Sequence, residues 1–429
     1  MRGKPGPLLA SAAVATICSA LAAGRAPLTL MTARATEHAI LDPALRLAEA
    51  FPPPAPPPPP EVVVRGPPSR TFRGDAKRRH QSPFYGPRAL PAASVLHEVA
   101  ASIAAMPAIL EGGDLLVASL GGALVRLSPT GDLRWKIQLG DRIYASPLVT
   151  GDHAILGSDA DRVVAVRLSD GRIRWQLLVD GDADTAPAEA PDGSIVIAAG
   201  TSLYVIRPSG ALRTRIRLQR KIYGSPAIDD DGTIYVGAQD DHLYAFTLAG
   251  ARVFRRDLGA DVDCAPLLGD DGAIFVGTDG GHVFAFEKSG ALRFRVDVGG
   301  FVRGGLSLGR DGSVIAGVYG PRPGIVALDP TSGVERFAFR IREGGPRELG
   351  VHGGPLVDAE GRLYFGAADD HVYALDSRGS RLFSVLLGGD VDAPLVLGPG
   401  GVLYAGAEDG RLYAIQGAAL PAPTRNGLW

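Results

Sequence analysis

A proline opens an apolar run at Pro107, Pro147, Pro187, Pro226, Pro266, Pro355 and Pro394, with successive gaps of 40, 40, 39, 40, 89 and 39 residues. The long gap holds two units, and Leu306 in Gly305-Leu306-Ser307-Leu308 stands where the missing proline would be. The chain therefore carries eight units of about forty residues, a period at which each unit is one supersecondary element that buries its apolar surface only against its neighbours.

The same signals recur in order within each unit. Asp192-Gly193, Asp231-Gly232, Asp271-Gly272, Asp311-Gly312, Glu360-Gly361 and Gly400-Gly401 separate two apolar runs, as a tight hairpin turn with positive φ requires. The second run ends in glycine, as in Ile234-Tyr235-Val236-Gly237, and a polar turn leads to a third such as Leu243-Tyr244-Ala245-Phe246. A further glycine precedes a fourth run, in which an aromatic stands four residues later: Trp135, Trp175, Phe254, Phe294, Phe337 and Phe383, with Thr214 the exception. A ring at a fixed place in every unit is packing between adjacent sheets. Four short strands per unit, eight times over, predict an all-β, eight-bladed β-propeller of antiparallel blades. The eighth unit stops at Gln416-Gly417, before its fourth strand, while Ser94 to Ala100 reads as a strand without a unit, His97 at the aromatic position. The N-terminal strand is thus expected to close the last blade and leave no open edge.

Ahead of the repeat, Arg2 and Lys4 precede an apolar stretch from Leu8 to Ala23 ending near Ala20-Leu21-Ala22, which reads as a secretory signal over residues 1–23. At sixteen residues the stretch is short for a membrane span. Ile17 before Cys18 argues against lipid attachment. Residues 24–93 read as a disordered, proline-rich linker, with eight prolines between positions 52 and 60 favouring an extended spacer. Residues 94–417 form the propeller and 418–429 a tail. Arg73-Gly74-Asp75 spells an adhesion tripeptide, which three common surface residues produce by chance. With the signal removed, Cys264 is the one cysteine left, so no internal disulfide forms, and its acidic neighbourhood makes it an inert thiol. Basic and acidic residues nearly balance, 44 against 46, so no field exists to capture nucleic acid.

The blade pattern of Val276-Gly277-Thr278-Asp279-Gly280-Gly281-His282-Val283-Phe284-Ala285-Phe286, and of Ser169-Asp170-Gly171-Arg172-Ile173-Arg174-Trp175, resembles the quinoprotein-type repeat of pyrroloquinoline quinone (PQQ)-like propellers. Phe72-Arg73-Gly74-Asp75 is similar to a segment often found ahead of them. The resemblance implies one of two classes. Dehydrogenases of this type use bound quinone with calcium or a related metal, and adjacent cysteines that this chain lacks. The other class resembles the outer-membrane-assembly propeller of Gram-negative envelopes, a non-catalytic scaffold that binds partner proteins. The expectation is therefore an exported, periplasmic or secreted scaffold with an envelope or secreted protein partner and no cofactor. The alternatives are a PQQ-dependent oxidoreductase and a propeller that binds a small polar ligand or glycan.

Among individual constellations, His242, His282 and His371 occupy equivalent places in different blades, which the ring carries apart, so they are turn residues and not one metal site. Asp229-Asp230-Asp231-Gly232 lacks the alternating ligands of a calcium loop and reads as a hairpin turn. The candidate binding rim consists of the residues just before the first strand of each blade: Tyr144, Asp184, Tyr223, Asp263, Arg303, His352 and Asp392. A longer connection in the sixth unit, residues 342–350 with Arg347, falls on the same rim. No residue is read as catalytic.

Overall fold

The computed structural model describes residues 69–89, 91–341 and 350–417. Among these the chain forms eight four-stranded antiparallel sheets, seven of them built from consecutive strands. We number them blades 1 to 8 in chain order, from the sheet that begins at Ala108–Ile109. The innermost strands are short, two or three residues, as in Ala227–Ile228 and Leu306–Leu308. The second and third strands, such as Ile234–Ala238 and His242–Phe246, are buried along almost their whole length because each lies between two neighbouring sheets. Outer strands such as Ile173–Leu178 alternate between exposed and half-buried residues, as a sheet edge facing water should.

The eighth blade is completed from the other end of the sequence. Ala92–Glu98 pairs antiparallel with Arg411–Gln416, from Ala92 opposite Gln416 to Glu98 opposite Arg411. The Arg411 Nε donates to Glu98 Oε1 at 2.7 Å. His97 sits where the other blades place their outer-strand aromatic, its Nδ1 3.2 Å from the Gly131 carbonyl of blade 1. Trp135 of blade 1 donates from Nε1 to the Leu168 carbonyl of blade 2 at 2.7 Å, and Trp175 to the Pro208 carbonyl of blade 3 at 3.1 Å. The rings are thus inter-blade contacts. They explain the glycine four residues upstream in each unit: at Gly171 φ is +72°, and a Cβ would stand 2.8 Å from the Trp135 ring.

The spacer expected over 24–93 does not extend to residue 93. From Ser69 the chain enters the ring and runs around the inner edge of the blades. An innermost strand has no neighbour toward the axis, so its N–H groups need another acceptor. Residues 69–84 supply it: Ile109, Val149, Ile228, Leu268, Leu308, Val357 and Ala359 donate to the carbonyls of Ser69, Arg70, Ala76, Lys77, Arg79, His80 and Phe84. Blade 3 is reached by Arg78, whose Nη2 donates to the Ala186 and Pro187 carbonyls, both at 3.1 Å. Blade 8 is reached by His80, Nε2 to the Leu395 carbonyl at 3.1 Å. This hub segment therefore touches all eight blades.

Arg73, Arg78 and His80 are each buried. Arg78 uses every one of its N–H groups: Nε to the Pro226 carbonyl, Nη1 to Thr71 Oγ1 and the Phe72 carbonyl, and Nη2 as above. Arg73 donates to the Leu306, Gly304 and Gly353 carbonyls, and the Phe72 ring lies 5.2 Å from the guanidinium carbon of Arg73 and 5.3 Å from that of Arg78. Burial pulls the Arg73 pKa down to about 10 and that of Arg78 to about 9. Arg73-Gly74-Asp75 is accordingly no exposed adhesion tripeptide. Proline content marked the upstream chain as a spacer, whereas what holds residues 69–84 is backbone carbonyls and two guanidinium groups.

Candidate functional site

In an antiparallel blade, the connections entering the first strand and those joining the second to the third lie at one end of the ring. The hub segment lies at the other end, since its side chains pair with the turns between first and second strands: Lys77 with Asp230 at 2.6 Å and Arg79 with Asp270 at 2.9 Å. Arg73 reaches along the axis, to the carbonyls of Gly304 and Gly353, each one residue beyond a rim position. The hub segment thus lines one end of the channel, and the connections that carry the rim residues lie at the other.

The rim residues sort into groups at that mouth. Tyr144 and Tyr223 are among the exposed large side chains, each 40% exposed. Lys221 lies 5.7 Å from the Tyr223 ring and donates to Asp182 at 3.3 Å. Between the tyrosines stands Asp184, whose carboxyl burial and the adjoining Asp159 carboxylate push up to about 8. Farther round, Arg303 grips Asp279 through Nε, at 2.9 and 2.8 Å from its two oxygens, and stands 3.8 Å from Asp263. Asp263 also accepts from Gln239 Nε2 at 3.3 Å, and burial, then the Asp279 charge, raises it to about 6. His352 Nδ1 lies 3.9 Å from Asp392, and its ring centroid 4.5 Å from that of Tyr319. Asp390, raised to about 6 by burial and Asp392, and Asp261 and Glu408, also raised, belong to the same mouth. Arg347 and most of the long sixth connection lie outside the described residues.

The structure brings Asp263 to Arg303 and His352 to Asp392, and it leaves Tyr144 and Tyr223 apart on the rim. It adds Asp159, Asp279 and Tyr319, which sit on the second connection of each blade. A signal for these was present: an acidic residue follows the second strand at Asp159, Asp240, Asp279, Asp369 and Glu408. His371 bonds within its own turn to the Asp369 carbonyl at 2.6 Å, and Asp229 holds Lys288 at 2.6 Å in a hairpin turn. Cys264, next to Asp263 in the chain, is buried, and that burial raises its thiol to about 11.

These carboxyls tie stability to pH. A carboxyl held protonated by the fold stabilises it below its unfolded pKa and loses that contribution as pH rises through the folded value. His80 has the opposite sign: burial lowers it to about 3, so its contribution is full above about 6.5 and fades as pH falls toward 3. From pH 6.5 to 8 Asp184 is still losing its proton, and the melting temperature is expected to decline there. Asp184→Asn should flatten that slope and raise Tm at pH 8 by about 2–4 °C, on the order of 1 kcal/mol. Scanning calorimetry at several pH values checks it, and an unchanged slope in the variant contradicts it.

An eight-bladed ring of four-stranded PQQ-like repeats defines the class. The chain belongs to the family described as outer membrane protein assembly factor BamB, whose sequence pattern matches residues 88–213 and 202–336, together more than half of its length. No curated protein matches the chain. Among solved structures, BamB from Moraxella catarrhalis is 18% identical, with a TM-score of 0.63 over 76% of this chain and 100% of that one. Quinohemoprotein alcohol dehydrogenase from Comamonas testosteroni is 12% identical, with a TM-score of 0.66 over 85% of this chain and 83% of that one. The computationally designed Ika8 protein is 16% identical, with a TM-score of 0.64 over 76% and 99%. At these identities the likeness is one of fold.

Among the described residues no three acidic, imidazole or thiol groups come together as ligands, and Cys264 stands alone without a neighbouring cysteine. Arg73 also occupies the axis beneath the mouth.

Proposed function

We propose that this chain is an exported, non-catalytic scaffold of the cell envelope that captures a partner protein at the carboxylate-lined mouth of its ring. The observation that carries the reading is the family match over residues 88–336. The hub supports it: the segment bonded along the inner edge of the blades occupies one end of the ring, which leaves the rim end for a partner. Connections on a rigid ring favour recognition at that mouth.

A photocrosslinking residue placed at Tyr144, Tyr223 or Arg303 in the full chain, irradiated in intact envelopes, should yield one discrete protein adduct. The same residue at Val334, exposed just ahead of the outer strand Glu335–Arg340, should not. Equal adducts from Val334, or none from the rim, would overturn the reading.

A further inference from the structure

Buried polar atoms without a hydrogen-bond partner are rare in folded proteins and call for an explanation. Apart from Arg73 Nε and His80 Nδ1 at the hub, here they lie toward the open mouth: Asp263 Oδ1, Tyr319 OH, His352 Nε2 and Asp392 Oδ1 occupy one sector of it, with Asp159, Asp184 and Asp240 among those elsewhere on the same side. Tyr319 is 6% exposed and the Asp263 side chain 10%. The charges that act on the Tyr319 hydroxyl are Asp279, Arg303 and Asp263, which places it in their company. The sector holds the carboxylates of Asp263, Asp279 and Asp392 and the one guanidinium of Arg303, whose two Nε hydrogen bonds both go to Asp279. What remains is an excess of acceptors beside the unpartnered Tyr319 hydroxyl and the partly exposed His352 ring, which packs 4.5 Å from that of Tyr319.

That remainder selects the chemistry of its ligand. An anion would meet Asp263 and Asp392 unscreened. A neutral group would leave the negative excess uncompensated in a half-buried site. A flat cation with several N–H donors satisfies separate acceptors and stacks on an aromatic face, which an ammonium does less well. Arg303 illustrates the fit, its guanidinium carbon 5.6 Å from the centre of the Tyr319 ring and its Nε on Asp279.

We propose that the mouth sector around Asp263 and Tyr319 receives an arginine side chain of the partner protein, the His352–Asp392 pair extending the site to a neighbouring residue of the same segment. This rests on the scaffold reading and deepens it by naming the partner's chemistry.

The probe is a fluorescent hexa-arginine peptide titrated against the full chain by anisotropy, with hexalysine and hexacitrulline peptides alongside. Hexa-arginine should bind more tightly than hexalysine, and hexacitrulline not measurably. Asp263→Asn and Tyr319→Phe, which keep the shape of each side chain, should each weaken hexa-arginine binding at least about tenfold, a loss of about 1.4 kcal/mol. Asp170→Asn, in a turn at the hub end, should leave it unchanged. Melting curves of all three variants establish that the ring is intact. Equal binding of citrulline and arginine peptides, or undiminished binding by both site variants, would sink the proposal. Rim crosslinks that persist in Asp263→Asn would refute the arginine site alone, whereas loss of rim crosslinks in the unmodified chain refutes the scaffold reading itself.

Discussion

Replacing Arg78 by alanine is expected to lower the stability of the ring by on the order of 4–5 kcal/mol, among the largest effects a single substitution produces. The side chain is wholly buried, and its guanidinium donates to the carbonyls of Phe72, Ala186, Pro187 and Pro226. Truncation strips donors from all four carbonyls at once, and the space left at the axis is too enclosed for water to replace them all. Arg78→Lys should recover less than half of the loss, because an ammonium offers three donors from one point where the site needs five spread over a plane. Scanning calorimetry of the two variants checks this. An Arg78→Ala protein that melts within about 2 °C of the unmodified chain would show that the hub contributes little.

Deleting Ala92–Glu98 should abolish the single cooperative transition altogether. The deletion removes the outer strand of blade 8, exposes the edge of Arg411–Gln416 and uncovers Gly131, against which Leu96 packs. An unpaired apolar edge beside an unfilled gap in the ring is a template for aggregation. Intrinsic fluorescence and light scattering on heating would show broad unfolding with early association. A synthetic peptide spanning residues 91–99, added in excess, should restore the sharp transition. A melting curve that the deletion leaves unchanged would overturn the account of closure.

How legible each part was depends on what holds it together. Blade number and strand order were visible because the forces that make a blade act on side chains that recur: apolar second and third strands, a turn glycine, an outer ring. The closing strand could be read from a deficit, a last unit lacking a fourth strand and a first strand lacking a unit. The hub could not. Ser69, Arg70, Ala76 and Lys77 act through their carbonyls, and a backbone acceptor leaves no trace in residue type. Arg73 and Arg78, bonded to carbonyls and not to carboxylates, offered no charge pairing to find. At the mouth, the positions of Asp184, Asp263, Arg303, His352 and Asp392 were readable from equivalence between blades. Their neighbours Asp159, Asp279 and Tyr319 were passed over, because the second connection varies in length and residue from blade to blade and hides the recurring acid.

Glu98 and Arg411, joined in the finished ring, are separated by 313 residues of chain. A ribosome or translocation pore delivers the first of them long before the second, so the seam cannot form until nearly everything else has emerged. Until then the waiting strand and the hub have only some of their blades to hold. Such a product has no stable half-made version, and whatever cares for the emerging polypeptide must shelter seven-eighths of a wheel.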